Sequence, residues 1–197
     1  SDDGDAGGKV SEDITKFFRI NRAHPFDTTR LREMQGRRTG YGSGVSTIID
    51  RKSRMRAELR RWRRGLASAE IDHRSAVICE ALITAVKSTT PSSVMVFDSV
   101  PGEPRLEIFR EWLREHGIEI AVPEDDPNPR NIDVVVVPGV AFTADGHRLG
   151  QGGGWYDRFL ADVGYETVTI GVCFAEQVVS AVPQEPHDIL VHRVISA

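Results

Sequence analysis

The run "DVVVVPG", Asp133–Gly139, constrains the fold of this chain more than any other stretch. Its four consecutive valines are β-branched and leave no polar position along a strand. Successive side chains of a strand point to opposite faces, so a strand of this composition must be covered on both. Helices packed on either side of a parallel sheet provide such cover, and the flanking sequence supplies them.

Asp50 reads as a helix N-cap. Beyond it Met55, Leu59, Trp62 and Leu66 recur at helical spacing and predict one apolar face. Lys52, Arg56, Arg60 and Arg63 form a basic stripe beside that face. Such a stripe is either a solvated surface or, where it overhangs a cleft, an anion contact. A second helix is predicted over about 68–87, with Ile71, Ser75, Ile78, Leu82 and Val86 inward. Strand-like runs follow at Ser93–Ser99, Ile118–Pro123, Thr167–Phe174 and Ile189–Ile195. The amphipathic stretch Glu103–Gly117 lies among them and stops at Gly117. Strands alternating with helices predict an α/β fold: three layers, α/β/α, around a mainly parallel sheet, spanning 49–197. Residues 1–48 are glycine-rich with mixed charge, and a flexible N-terminal extension is expected there.

Composition narrows the function classes. Hydrophobic residues make up 40% of the chain, enough for a core, and the net charge of −4 argues against a general nucleic-acid footprint. No apolar run reaches membrane-spanning length, and the N-terminus lacks the apolar segment of a secretory signal. The two cysteines, Cys79 and Cys173, sit in apolar runs and read as buried reduced thiols. The expectation is a cytoplasmic monomer without nucleic-acid or membrane partners. His24, His73, His116 and His147 read as surface residues, and His187 as a capping or surface residue.

Chemistry concentrates in "RLGQGGGWYDRFL", Arg148–Leu160. Gly150, Gly152, Gly153 and Gly154 let backbone N–H groups approach an anion, and a helix predicted from Trp155 to about Val163 follows. Arg148 offers a bidentate fork for phosphate oxygens. Asp157 falls in the first helical turn, where a carboxylate either caps the helix or ligates Mg²⁺ beside a phosphate. The loop lacks the Gly-Lys-Ser/Thr ending of a P-loop. A structural turn and a phosphate cradle both fit these residues on their own.

The longer stretch "PGVAFTADGHRLGQGGGWYDRFL", Pro138–Leu160, resembles the signature of the 5-formyltetrahydrofolate cyclo-ligases, also called 5,10-methenyltetrahydrofolate synthetases. Lys52, Met55, Arg56, Arg63 and Leu66 resemble the family's N-terminal helix. Glu103 fits its substrate glutamate, and Gln184–Ser196 its C-terminal strand. The resemblance implies MgATP-dependent conversion of 5-formyltetrahydrofolate to 5,10-methenyltetrahydrofolate, with release of ADP and phosphate. It implies ATP contacts from Lys52, Arg56, Arg148, Gly150, Gly152, Gly153, Gly154, Trp155 and Tyr156. Arg148 and Tyr156 are implied to be catalytic, Arg56 and Glu103 to contact the folate, and Asp157 to hold Mg²⁺. Several features depart from the family pattern; Trp155 replaces a common Tyr and Thr143 stands where Asp is frequent. The connection between the second and third strands is only Glu124–Ile132, and His192 stands where an Mg²⁺-binding Asp is usual. These departures keep a non-catalytic nucleotide- or folate-binding homologue as the alternative. Phosphoryl transfer to a smaller substrate is the third reading.

Overall fold

A computed structural model describes residues 46–197; the segments 15–26 and 37–44 and His24 lie outside the described residues. Helix α1 spans Ile48–Arg64 and α2 Ser68–Lys87. Strand β1 (Ser93–Met95), helix α3 (Glu107–Glu115) and strand β2 (Glu119–Ala121) follow. Two 3₁₀ turns, Pro123–Asp125 and Pro129–Asn131, lead to β3 (Val134–Pro138). A hairpin of β4 (Ala141–Phe142) and β5 (Arg148–Leu149) precedes α4 (Trp155–Ala161). Strands β6 (Val168–Cys173) and β7 (Arg193–Ser196) close the sheet.

The sheet runs β2-β1-β3-β6-β7 with every pair parallel. The valine run occupies its centre. Val134 aligns with Val94 of β1 on one side and Val168 of β6 on the other. Val134 and Val136 pack with Ile78, Leu82 and Val86 of α2 and Phe109 and Leu113 of α3. Val135 and Val137 face the other way, toward Met95, Phe142, Cys173 and the α4 residues Phe159 and Leu160. All four valines are at most 1% exposed, so the two-faced burial expected of them is met. Truncating the fully buried Phe109 or Phe142 to alanine would cost about 3–5 kcal/mol. The three-layer α/β architecture is borne out.

Local signals placed most element ends. Gly117 adopts a left-handed φ of 65° one residue past the cap of α3. The expected cap of α1 is corrected. Thr47 is the N-cap, its hydroxyl accepting from Asp50 N at 3.1 Å, while the Asp50 carboxylate accepts from Thr47 N at 3.0 Å. Asp50 therefore closes a capping box from the third helical position. The amphipathic stretch Glu103–Gly117 becomes helical only at Glu107; before it, the Pro104 carbonyl accepts from Ser99 Oγ at 2.6 Å and Arg105 N donates to Ser75 Oγ of α2 at 2.9 Å. The last strand begins at Arg193, because residues 189–192 are spent on loop contacts. Both cysteines are buried, and burial pushes both thiols up and away from reactivity.

Two packing relationships position the site. The ring of Phe142 lies where a Cβ at Gly171 would stand, so β6 needs glycine there for the hairpin to dock. Leu59 and Met55 of α1 then pack on Val140, Ala141 and Leu149 of the hairpin. The chain leaves β1 toward β2 and leaves β3 toward β6, which opens a crevice above the carboxyl ends of β1 and β3.

Candidate active site at the carboxyl ends of the strands

With its apolar face fixed on the hairpin, α1 turns its basic stripe onto the glycine loop. Arg56 Nε donates to the Gly150 carbonyl at 2.8 Å, and Arg60 Nη2 to the Gln151 carbonyl at 2.7 Å. Arg63 Nη1 lies 3.3 Å from Glu103 Oε1. Lys52 Nζ lies 2.6 Å from Asp188 Oδ2 and 2.9 Å from Glu185 Oε2. Lys52 and Arg63 are 6% and 4% exposed, so the solvated-surface reading of the stripe does not hold.

The hairpin delivers Arg148 from below. Its Nη2 donates to Asp157 Oδ1 at 2.8 Å, and its guanidinium carbon sits 5.7 Å from the centre of the Tyr156 ring. Arg148 Nε is buried without a hydrogen-bond partner among the described residues. The loop then turns through Gly152, at φ 109°, to Gly154, whose left-handed φ of 66° makes it the N-cap of α4. Asp157 Oδ1 also accepts from Ile189 N at 3.4 Å. Oδ2 of Asp157 has no donor among the described residues. A hard cation takes carboxylate oxygen, so this atom fits Mg²⁺.

Beside the loop a cavity of about 710 Å³ opens over the sheet crevice. Phe97 and Asp98 beyond β1, Pro123 and Glu124 beyond β2, and Pro138 at the end of β3 form its floor and one side. Trp155, Tyr156, Gln151 and Glu103 also line it, as does Arg64, with Arg60 and Arg63 beside Gln151 and Glu103. The short Glu124–Ile132 connection thus contributes its first residue to the wall. Glu103 is 4% exposed and accepts from Gln151 Nε2 at 2.7 Å. The Tyr156 hydroxyl is buried without a partner among the described residues. Burial pushes its phenol far above the ordinary range, only partly opposed by Arg148, so at neutral pH it is a proton-bearing donor.

Of the residues expected at the site, Glu103, Trp155 and Tyr156 line the cavity, while Lys52, Arg56, Arg148, Asp157 and the four glycines are not among its lining residues; Arg56 reaches the loop at Gly150 and Lys52 pairs with Asp188 and Glu185. His192 is not among them. Its Nδ1 accepts from Thr169 N at 3.0 Å near the start of β6, at the amino end of the sheet. Among the described residues one group of three possible metal ligands converges, Glu185, His187 and Asp188. Lys52 already neutralises its two carboxylates, and an imidazole suits a hard cation poorly. Sequence reasoning missed Gln151, Glu185 and Asp188. Pro186 between the two acids signals a turn, but their partner lies 133 and 136 residues upstream.

Residues 124–197 match the 5-formyltetrahydrofolate cyclo-ligase family. The chain is similar to the 5-formyltetrahydrofolate cyclo-ligase of Saccharomyces cerevisiae, 37% identical over 42% of this chain and 43% of that protein. It is also similar to that of Mus musculus, 22% identical over 76% of this chain and 95% of the relative. The fold matches a 5,10-methenyltetrahydrofolate synthetase from Mycoplasma pneumoniae with a TM-score of 0.67 at 22% identity, covering 73% of this chain and 97% of that one. The match thus spans less than half the length of the yeast relative. The resemblance carried by Pro138–Leu160 is borne out.

Proposed function

We propose that this chain, which carries the family match over residues 124–197, is an ATP-dependent 5-formyltetrahydrofolate cyclo-ligase. One observation supports this most: a basic loop edge suited to phosphates and a cavity suited to a flat heterocycle meet at Gln151 and Glu103. In this reading Arg56 and Arg148 hold the triphosphate, with N–H groups of Gly150, Gly152, Gly153 and Gly154 turned toward it. Lys52 joins them by exchanging part of its pairing with Asp188 and Glu185. Trp155 and Tyr156 separate the nucleotide from the folate, and Glu103 with Arg56 orients the folate.

The reaction is a phosphoryl transfer followed by a ring closure. The formyl oxygen attacks the γ-phosphorus, and ADP leaves. N10 then attacks the formyl carbon and gives up its proton, and the original formyl C–O bond breaks, so that phosphate leaves carrying the formyl oxygen. Phosphoryl transfer needs in-line positioning and charge neutralisation more than covalent participation. Arg148, held by Asp157 and stacked near Tyr156, is placed to follow the charge on the transferred group. The Tyr156 hydroxyl, which keeps its proton, donates rather than abstracts. Asp157 would hold Mg²⁺ through Oδ2, and the ion would neutralise phosphate charge. The working unit is residues 49–197, acting as a cytoplasmic monomer without nucleic-acid or membrane partners. No described helix is long and apolar enough to cross a membrane.

Calorimetric titration with a non-hydrolysable ATP analogue and with 5-formyltetrahydrofolate tests this. Both should bind, and Arg148→Ala should weaken the nucleotide about 10- to 100-fold, the scale of a lost charge-assisted contact. Failure of the unaltered chain to bind either ligand refutes the reading. The short Glu124–Ile132 connection favours one rival, a homologue that binds nucleotide without turnover. Nucleotide binding with no folate binding would select it.

A further inference from the structure

Gln151 belongs to the glycine loop by sequence and to the cavity by contact. Its Nε2 donates to Glu103 Oε1 at 2.7 Å, while its Oε1 accepts from Arg60 Nε at 2.9 Å. Its backbone carbonyl accepts from Arg60 Nη2 at 2.7 Å, and the preceding Gly150 carbonyl is held by Arg56. An amide is the side chain that can join these neighbours, because it presents a donor to a carboxylate and an acceptor to a guanidinium. A glutamate would face Glu103 with like charge, and a lysine would face Arg60. Glu103 is otherwise held by Arg63 and, more weakly, by Val100 N at 3.4 Å. The carboxylate in the cavity is thus tied directly to the backbone that the proposed function gives to the nucleotide.

We propose that Gln151 is a positioning residue that couples the two substrates: nucleotide binding at the loop fixes Glu103 for the folate, and folate binding fixes the loop for the nucleotide. The proposal rests on the cyclo-ligase reading and deepens it. Ordering the shared segment once lowers the cost for whichever ligand arrives second, and the coupling must be reciprocal. Arg60 is part of the same linkage, since it grips both the side chain and the backbone of Gln151.

The test is calorimetric titration of the full chain with 5-formyltetrahydrofolate, alone and with a saturating non-hydrolysable ATP analogue and Mg²⁺. In the unaltered chain the nucleotide should tighten folate binding by about five-fold or more. Gln151→Met keeps the length without either hydrogen bond, and Gln151→Glu keeps only the bond to Arg60. Both should bring the ratio of affinities to within about two-fold of one. Gln151 is exposed, so Gln151→Met should leave the thermal midpoint unshifted and serves as the stability control; Gln151→Glu, which sets like charge against Glu103, should lower it and is read by the ratio alone. A purely structural role would alter stability or both affinities together and leave the ratio intact. An unchanged ratio in both variants, or a ratio of one in the unaltered chain, overturns the coupling role. If the unaltered chain binds neither ligand, the functional reading itself fails and the coupling role falls with it.

Discussion

Arg63 and Glu103 meet at 3.3 Å with 5% and 4% of their side-chain surface exposed. Burial holds the Arg63 guanidinium below its ordinary value, and the Glu103 carboxylate only partly opposes this. Removing the acid alone leaves a cation in a poorly solvated place. Glu103→Leu should therefore cost about 3–5 kcal/mol, lowering the thermal midpoint by roughly 6–20 °C. Adding Arg63→Met should recover most of that loss without restoring folate binding. Thermal unfolding of the single and double variants, with a folate titration of each, checks both parts.

Asp157 shows that one residue can carry a structural and a functional load together. From sequence alone, Asp157→Asn is expected to impair Mg²⁺-dependent turnover and leave the fold intact. The ion pair with Arg148, whose side chain is 3% exposed, changes that expectation. An asparagine keeps an acceptor oxygen but not its charge, so a stability loss of about 1–3 kcal/mol should accompany the lost turnover. Chemical denaturation and an assay across Mg²⁺ concentrations separate the two effects.

The Lys52 cluster gives the protein a defined response to pH. Burial alone would raise the Asp188 carboxyl, but its hydrogen bonds with Lys52 and Glu185 N outweigh that and hold it below its usual value. Burial would likewise lower Lys52, and the two carboxylates outweigh it and raise the ammonium. A lowered acid contributes stability above its unfolded pKa of about 3.9 and loses it as pH falls through the folded value. A raised base contributes below about 10.4 and loses it as pH rises further. The cluster should therefore stabilise fully between those limits. Asp188→Asn should flatten the acid limb of unfolding free energy measured against pH.

Neighbouring glycines of the loop should differ sharply. Gly152 holds φ 109°, which an L side chain adopts only under strain, and its Cβ would meet the Arg56 guanidinium at 3.6 Å. The 3.6 Å approach is ordinary contact, so the backbone angle is what constrains Gly152; Gly153 lacks it and has nothing within 4 Å of its Cβ position. Gly152→Ala should cost about 1–2 kcal/mol of stability, whereas Gly153→Ala should leave stability unchanged. Denaturation midpoints of the two variants, measured side by side, check this contrast.

The fold was legible because its strongest signals are periodic. Val134–Val137 announced a doubly covered strand, and Leu59 and Ile78 announced helix faces by spacing alone. The candidate site was legible through the glycine loop and the residues around it. Partnerships were harder to read. Lys52 finds Asp188, and Gln151 finds Glu103, across stretches whose separation carries no periodicity. Which acceptor a cation meets depends on how α1 settles on the hairpin, and that is decided by Leu59, Val140 and Leu149 together. The cap of α1 slipped by three residues for a related reason, since both Thr47 and Asp50 are good cap residues and only the backbone chooses.

The most direct measurement is a single-turnover reaction of the purified chain with MgATP and 5-formyltetrahydrofolate, following ADP and the cyclised folate together. The account expects 5,10-methenyltetrahydrofolate and ADP to appear in equal amounts, and neither to form with Arg148→Ala. Absence of both products with the unaltered chain, or ADP release without ring closure, would contradict it.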